Sequence, residues 1–449
     1  MSRKGVMGLS AQLKDKLIQQ TLERRLRQAG EPRTTNFSLA TSAAARDIPE
    51  EYYRFALHPG YQQLRIVNDG AARLGIRNPF FKQHDALVGA TTLIEGKSFI
   101  NYGSYNYLGF SGDAAVTAAA KAAIDRYGTS VSASRIVSGE RPIHREFERA
   151  LADVYGVDDS ITFVSGHATN VTTIGYLFGP KDLVLHDALI HNCTLQGIQL
   201  SGAKRLSFPH NDWAALDTIL NEQRRHFERV LVVVEGIYSM DGDYPDLPRF
   251  VEIKRKHRAF LMVDEAHSFG VMGKNGLGIR EHFSLAGSDV DIWMGTLSKA
   301  LAGCGGYIAG ETALVEHLKF MAPGFLYSVG MPPPVAAASL AALQGLRREP
   351  ERVHALQARG AFFLEKAKEA GIDTGFSSGL AVIPAITGSS LRAVRLSEAL
   401  FKRGMNVQPI LYPAVPEKSA RLRFFMSYKH TETQITQTIQ ALAEELDRL

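Results

Sequence analysis

Short apolar runs alternate with amphipathic segments through the middle of the chain. The runs SITFVSG, DLVLHD, RVLVVVEG and AFLMVDEAH are β-rich, have the length of a strand and are bounded by glycine, proline or aspartate. Between strands of this kind, DWAALDTILNEQRRH and LPRFVEIKRKH have the apolar spacing of helices. Strands that are apolar on both faces and alternate with helices predict an α/β fold. Its sheet should be mostly parallel, with helices covering both faces.

The same pattern divides the chain into three predicted parts. Residues 1–110 form an N-terminal arm, residues 111–335 a large α/β domain, and residues 336–449 a smaller α/β domain. The smaller domain combines the helical segments VAAASLAALQGLRR and ETQITQTIQALAEEL with the short strands AVIPAI and ARLRFFM. In the arm, LSAQLKDKLIQQTLERRLRQAG is predicted to form a basic amphipathic helix and RTTNFSLATSAAARD a linker.

Composition narrows the class of protein. The chain has 449 residues, of which 45% are hydrophobic and 22% charged, as in ordinary globular proteins. A net charge of +5 is too small to indicate nucleic-acid binding, although it permits a weak preference for an acidic partner. Two cysteines give no disulfide framework, and neither a signal peptide nor a long apolar run is evident. We expect a cytoplasmic protein, with peripheral membrane association through the arm left open.

One lysine has unusual neighbours. The stretch GTLSKALAGCGGYIAG surrounds Lys299 with small and apolar residues. Poor solvation lowers the pKa of a lysine, and a neutral amine is what bond formation with an aldehyde requires. On this stretch alone, a surface lysine in a glycine-rich loop explains the pattern equally well.

Other polar residues follow the predicted strands, at the edge where open parallel sheets bind ligands. Gly166 and His167 open a helix and either hold a phosphate on free N–H groups or form an ordinary turn. His191 could stack on a planar ring, although a lone histidine is more often structural. Asp264 ends an apolar strand, where it either pairs with a protonated ring nitrogen or caps a helix. With Lys299, these residues together specify pyridoxal 5'-phosphate (PLP).

Several longer motifs occur in the order found in one family. VEGIYSMDGD, VDEAHSFGVMGKNGLG, GTLSKALAGCGGYIAG and YSVGMPPP resemble the α-oxoamine synthases, which are PLP-dependent enzymes of fold type I. The resemblance extends from about residue 95 to residue 449. It implies a mostly parallel central sheet with helices on both faces, a smaller C-terminal domain, a homodimer with shared active sites, and a role in biosynthesis. No metal site is implied.

The resemblance also implies roles for individual residues. Lys299 would bind the cofactor aldehyde and carry the Cα proton of the amino acid, and Asp264 would pair with the ring nitrogen. Ser328 would reach the phosphate bound in the neighbouring subunit. The implied catalytic residues are Lys299, His267, His191 and Asp264. The implied cofactor-binding residues are Lys299, Asp264, His267, His191, Ser239, Gly166, His167, Thr296 and Ser328.

The substrate contacts follow from the same resemblance. Arg423 would bind the amino acid carboxylate, because a guanidinium presents a planar fork to it. A protonated His267 or a nearby donor would polarise the thioester carbonyl. The implied substrate-binding residues are Arg423, Asn106, Tyr105 and Ser134.

The implied reaction is a decarboxylative condensation of serine, alanine or glycine with an acyl thioester of CoA or an acyl carrier protein. It would give an α-aminoketone and carbon dioxide. An aminotransferase of the same fold is the alternative. Within the family, NYGSYNYLGF resembles serine palmitoyltransferase, but Leu411 stands where that enzyme and 8-amino-7-oxononanoate synthase carry an arginine. The sequence as a whole, including NPFFKQHD and TSVSASRIVSGERPIHRE, is similar to α-oxoamine synthases of secondary-metabolite pathways.

Overall fold

The computed structural model describes residues 48–449, except residues 74 and 76. The basic helix and the linker predicted for the arm lie outside the described residues. The chain divides into two compact units between Phe81 and Lys82. The predicted boundaries at residues 110 and 335 stay predictions.

The first unit contains α1 (Pro59–Arg73), which two single 3-10 turns precede. The helices described in the second unit are α2 (Ala114–Tyr127), α3 (Pro142–Tyr155), α4 (Gly166–Leu177), α5 (Asn192–Ser201), α6 (Trp213–Gln223), α7 (Leu247–His257), α8 (Gly278–His282), α9 (Thr312–Met321), α10 (Pro323–Leu326), α11 (Pro333–Arg348), α12 (Glu351–Glu369), α13 (Ser390–Lys402) and α14 (Glu432–Arg448). Among these described helices, none is both long enough and apolar enough to cross a membrane.

The strands that the structure describes lie in the second unit. They are β1 (Thr91–Ile94), β2 (Lys97–Asn101), β3 (Asp159–Phe163), β4 (Leu183–Asp187), β5 (Lys204–Phe208), β6 (Val230–Glu235), β7 (Phe260–Asp264), β8 (Ile292–Thr296), β9 (Gly306–Gly310), β10 (Val382–Ile386), β11 (Met405–Asn406), β12 (Gln408–Ile410) and β13 (Arg421–Phe425). Each strand predicted from an apolar run is present.

The main sheet has the strand order β3-β9-β8-β7-β6-β4-β5 within the described residues. Only β9 runs antiparallel to its neighbours, β3 and β8. Strands β4 and β6 are buried at every position, as strands covered on both faces must be. Successive residues of the central strands enter two separate apolar clusters, because side chains of a strand alternate between its faces. The predicted α/β fold with a mostly parallel sheet is confirmed.

Two small sheets lie beside the main one. One has the order β1-β2-β11 and the other the order β10-β13-β12. The second contains the predicted strands AVIPAI and ARLRFFM as antiparallel neighbours. In the main sheet, parallel β4, β6, β7 and β8 all end at one edge, at Asp187, Glu235, Asp264 and Thr296. Polar side chains from distant parts of the sequence therefore meet at this edge.

Candidate active site

Lys299 lies in the loop that reverses the chain between β8 and β9. The Leu297 N–H donates to Gly305 O (2.9 Å), and the Gly303 N–H donates to Leu297 O (2.9 Å), so the turn is tight. The lysine is half-buried, and burial lowers its pKa to about 8 although Asp264 and Glu235 oppose this shift. Its amine has no hydrogen-bond acceptor among the described residues and faces the Tyr105 ring at 5.7 Å. A solvated surface lysine is therefore not what the structure shows.

Asp264 is a buried carboxylate with neutral partners. Its Oδ2 accepts from the Asn170 amide (2.8 Å) and its Oδ1 from the Ala266 N–H (2.9 Å). Turns rather than a helix follow it, so the helix-cap alternative is wrong. A buried carboxylate needs a cation or strong donors nearby to stay ionised. The site therefore suits a cationic ring nitrogen beside Asp264.

Glu235 was not predicted from the sequence, although it ends its apolar strand as Asp264 does. Its Oε1 accepts from the backbone N–H of His191 (2.7 Å) and its Oε2 from that of Ser239 (3.4 Å). Complete burial, with Asp264 nearby, raises the pKa of this carboxyl well above its usual range. Glu235 thus joins the loops that carry two predicted cofactor contacts.

His191 caps helix α5 and leaves its ring exposed. Its Nδ1 accepts from the Cys193 N–H (3.2 Å), and the Cys193 thiol lies 2.9 Å from the same nitrogen. Cys193 also accepts from the Asn170 amide (3.0 Å), which holds Asp264 at the same time. Neither Asn170 nor Cys193 was predicted, because the spacing of these residues along the chain gives no sign that they meet.

The start of helix α4 provides a place for an anion. Ser165 caps the helix with its hydroxyl, which accepts from Ala168 (3.4 Å). The N–H groups of Gly166 and His167 have no acceptor within the described part of the chain. A Cβ at Gly166 would lie 2.7 Å from Thr296 Oγ1, so only glycine permits this close approach. The arrangement agrees with the predicted phosphate contacts.

His267 is buried and is held by a residue that the sequence did not single out. Its Nδ1 lies 2.8 Å from the Tyr107 hydroxyl, and the Phe425 ring stacks parallel to it at 6.1 Å. Burial, with Lys299 and Arg423 nearby, lowers the pKa of His267 well below its usual range. Among the described residues the charged ring would lack solvent and a counterion, so the neutral form of His267 is favoured, and its predicted role at the thioester carbonyl stays a prediction.

Arg423 projects from β13 toward the loop after β6. Its guanidinium donates to Ser239 O (3.0 Å) and lies 4.5 Å from the Phe425 ring centre. Its Nε is buried and has no partner in the described structure. Burial lowers its pKa, although an arginine stays charged at neutral pH. Arg423 therefore has an unused donor in a poorly solvated place.

The remaining predicted substrate residues lie in different surroundings. The Tyr105 ring contacts Phe425 at 4.8 Å between ring centres. The Asn106 amide donates to Val88 O (3.3 Å) and accepts from the Ser111 N–H (3.2 Å), so it supports the backbone. Its predicted substrate role gains no support from these contacts.

Ser134 and Ser328 occupy neighbouring loops, which the Gly330 N–H joins to Ala133 O (3.0 Å). In the described structure neither hydroxyl hydrogen-bonds to Lys299 or Asp264. Within the described protomer these two serines are therefore not linked to the lysine by a hydrogen bond. Five other predicted residues and the unpredicted Glu235 do interact electrostatically, and we call them the lysine cluster: Lys299, Asp264, Glu235, His191, His267 and Arg423.

The lysine cluster and the start of α4 fit PLP on the residues present. A partly neutral amine, a buried carboxylate held by neutral donors, an exposed imidazole and free N–H groups match its aldehyde, ring nitrogen, ring face and phosphate. The fold and the site define a PLP-dependent enzyme of fold type I.

Comparison with known proteins agrees with this class. The family model for aminotransferase class I and II matches residues 97–442. An 8-amino-7-oxononanoate synthase of Fervidobacterium nodosum is 40% identical over 77% of this chain and 88% of its own. One of Symbiobacterium thermophilum is 37% identical over 84% of this chain and 95% of its own.

Solved structures give the same result. A serine palmitoyltransferase from S. paucimobilis with a bound PLP–myriocin aldimine has a TM-score of 0.83 at 28% identity, covering 87% of this chain and 99% of that one. The 8-amino-7-oxononanoate synthase of Francisella tularensis has a TM-score of 0.67 at 26% identity, covering 78% and 98%. The chain belongs to the aminotransferase class I and II family and, within it, to the α-oxoamine synthases, which are PLP-dependent acyltransferases. The predicted family, fold, enzyme class and cofactor are confirmed.

Proposed function

We propose that the protein condenses a small amino acid, serine, alanine or glycine, with an acyl thioester and releases carbon dioxide and an α-aminoketone. The observation that carries the proposal is that Lys299, a half-buried amine without an acceptor among the described residues, lies in the same cluster as Arg423, whose buried Nε has no partner in the described structure. The Lys299 amine suits proton transfer at Cα, and the Arg423 guanidinium suits binding of a carboxylate. Relatives named 8-amino-7-oxononanoate synthase and neighbours named serine palmitoyltransferase support the same class of reaction.

The cofactor would be held from several sides. Gly166, His167 and Thr296 would bind the phosphate, Asp264 the ring nitrogen, and Lys299 the aldehyde carbon. The His191 ring would lie against the cofactor ring, and Ser239 and His267 would reach its hydroxyl. When bound, PLP draws electron density from the Cα of the amino acid, which no side chain does alone.

Arg423 would orient the substrate through its carboxylate. Its guanidinium is fixed by Ser239 O and stacked on Phe425, so little side-chain freedom is lost on binding. Lys299 would then move the Cα proton, because its lowered pKa leaves much of the amine neutral near pH 8.

His267 would act as a neutral donor. If the Tyr107 hydroxyl donates to Nδ1, the proton of the imidazole stays on Nε2, which can then donate to the acyl carbonyl. The aromatic rings of Tyr105 and Phe425 beside it limit the access of water. The acyl donor would thus compete with little water for the reacting carbon.

A homodimer with shared sites is part of the proposal. The loops of Ser134 and Ser328 carry exposed apolar side chains, among them Tyr327 (86% exposed) and Val137 (77%). Exposed apolar clusters mark protein interfaces. In a dimer these serines would serve the partner's site. Light scattering on the purified protein should give twice the mass of the chain, and a monomeric mass would contradict the proposal.

The acyl donor, the location and the pathway stay predictions. The net charge of +5 gives weak support for an acidic acyl carrier protein. A cytoplasmic location and a role in biosynthesis are expected, and cell fractionation of the tagged protein tests the first. Peripheral membrane association would appear as protein released from the membrane fraction by high salt.

A matrix of substrates tests the proposed reaction. Glycine, alanine and serine are each offered with acyl-CoA and acyl-carrier-protein donors of several chain lengths, while released carbon dioxide and product mass are measured. At least one pair should yield carbon dioxide and an α-aminoketone in equal amounts. Amino transfer to a keto acid without carbon dioxide would contradict the proposal and favour the aminotransferase alternative. The Lys299→Ala variant, which lacks the amine, should be inactive with every pair.

A further inference from the structure

A partly buried cluster of one histidine and two aspartates lies outside the residues assigned so far. His210, in the loop after β5, has Nδ1 2.8 Å from Asp187 Oδ1 and Nε2 2.8 Å from Asp243 Oδ2. Asp187 ends β4 and is completely buried, and Asp243 lies in the loop after β6. The histidine thus joins the loops that follow three neighbouring strands.

The geometry requires a cation at the centre of this cluster. A carboxylate only accepts hydrogen bonds, so both ring nitrogens of His210 must carry hydrogen for both contacts to form. The other donors to the pair are neutral: the backbone N–H groups of Leu189 (2.8 Å) and Asn211 (2.7 Å) donate to Asp187, and the Asn211 amide donates to Asp243 (2.9 Å). Imidazolium and carboxylates compensate one another, and each charge strengthens the hydrogen bonds.

The two carboxylates belong to loops of the cofactor site. The loop that begins at Asp187 leads to His191, whose ring is the proposed contact with the cofactor face. In the other loop Asp243 O accepts from the Tyr238 N–H (2.9 Å), next to Ser239, whose carbonyl orients Arg423. The Tyr238 ring also stands edge-on to His210 at 4.5 Å.

We propose that His210 is a positioning residue of the active site: as the cation between Asp187 and Asp243, it fixes the loop of His191 relative to the loop of Ser239. Glu235, within the lysine cluster, joins the same two loops by accepting hydrogen bonds from the N–H groups of His191 and Ser239. His210 joins these loops outside that cluster. The inference rests on the proposed cofactor contacts of His191 and Ser239. His210 itself touches neither cofactor nor substrate.

The His210→Gln variant tests this role through the bound cofactor. The glutamine amide has no charge and cannot reach both carboxylates as donor, so the loops lose their fixed separation. We expect the apoenzyme to bind PLP about 10-fold more weakly or worse, as happens when outer partners of metal ligands are removed. The visible circular dichroism of the bound PLP should change as well, because the ring is held differently.

A matched control is available in the same protein. His257 also contacts an aspartate, with Nε2 2.7 Å from Asp217 Oδ1, but it ends helix α7, and in the described structure it has no hydrogen bond to the loops of His191 and Ser239. His257→Gln should leave PLP affinity and the dichroism unchanged. If both variants shift the cofactor signals equally, general destabilisation is the cause and the proposal is wrong.

A second variant separates positioning from folding. Single replacement of His210 leaves the carboxylates of Asp187 and Asp243 without their cation, which destabilises the fold. The triple variant Asp187→Asn, His210→Gln, Asp243→Asn removes these charges and should recover the melting temperature of the apoprotein, yet keep the weakened PLP binding and altered dichroism. A triple variant with wild-type PLP affinity and dichroism would overturn the proposal. This test holds even if the His210→Gln variant does not fold.

Failure of the proposed function is recognised separately. Borohydride treatment of the wild-type holoenzyme should fix a pyridoxyl group on Lys299, detected by mass spectrometry. If Lys299 is not labelled, the proposed cofactor site is wrong whatever the His210 variants do. If Lys299 is labelled and His210→Gln and the triple variant both bind PLP normally, only the role of His210 is wrong.

Discussion

At the scale of single residues, Lys299 shows how burial prepares a side chain for chemistry. Burial removes water from an ammonium and opposes its charge, while Asp264 and Glu235 favour the charge. Burial is the larger effect, and the pKa falls to about 8. At neutral pH a useful fraction of the amine is then unprotonated, which no exposed lysine provides.

The first prediction concerns the rate at which the apoenzyme takes up PLP at different pH values. Because only the neutral amine reacts, and the neutral fraction rises with pH up to the pKa, the rate should rise about tenfold per pH unit below 8 and level off above it. Stopped-flow absorbance from pH 6 to 10 measures this. N-acetyl-lysine is the control, and its rate should still rise beyond pH 9. A midpoint near 10.5 for Lys299 would show that its amine is solvated.

The second prediction concerns the hydroxyl of Tyr107. Tyr107→Phe leaves Nδ1 of the buried His267 without its partner, which costs about 1–3 kcal/mol, and frees the imidazole to place its proton on either nitrogen. We expect kcat to fall about tenfold or more while KM for the amino acid changes little. Tyr102→Phe is the matched control, since that buried hydroxyl bonds Thr438 (2.9 Å). Equal kcat values in the two variants would exclude a role for Tyr107.

The third prediction separates two arginines of one strand. Arg423→Lys keeps the charge but loses the planar fork, so KM for the amino acid should rise at least tenfold, while PLP absorbance stays unchanged. Arg421 instead pairs with Asp241 (2.6 Å), and Arg421→Lys should lower the melting temperature and leave KM unchanged. Steady-state kinetics and thermal unfolding of both variants give the comparison. An unchanged KM in Arg423→Lys would refute carboxylate binding there.

At the scale of elements, the sequence pattern identifies strands made of apolar residues well and glycine-rich strands poorly. The run VLVVVE predicts β6 because five apolar residues precede a single glutamate, and the structure buries all six. Strand β9 was not predicted because GYIAG is rich in glycine, yet it pairs with both β3 and β8. Its antiparallel direction follows from the reversal at Lys299. The loop thus serves both the sheet and the site.

The fourth prediction concerns the turn that opens helix α4. Gly166→Ala places a methyl group 2.7 Å from Thr296 Oγ1, so the turn or the threonine must move. Since both are proposed to hold the phosphate, we expect PLP to bind at least tenfold more weakly. Gly179→Ala, just past the end of the same helix, meets no atom within 4 Å and should bind PLP normally. Equilibrium dialysis of both apoenzymes decides, and equal affinities would remove Gly166 from the phosphate site.

At the scale of the whole molecule, the lysine cluster draws on widely separated parts of the chain. Lys299 and Asp264 could be found from the sequence because each interrupts an apolar context. Tyr107, Asn170 and Glu235 could not be placed with them, because only the fold brings their side chains to His267, Asp264 and His191. The local sequence pattern therefore identified the reactive lysine and the buried aspartate, whereas the residues that hold the cluster in place could be found only from the three-dimensional structure.

The arrangement of whole subunits leads to the fifth prediction. If Ser328 serves the partner's phosphate, Ser328→Asp places a negative charge against that phosphate and should abolish activity, as Lys299→Ala does by removing the amine. Mixing the two inactive variants under exchange of subunits should restore activity, because one site of each mixed dimer then has both native residues. With random pairing half the dimers are mixed, and one site of each is complete, which gives about a quarter of wild-type activity. Activity that stays near zero in a mixture shown by mass spectrometry to contain mixed dimers would mean that each subunit uses its own Ser328.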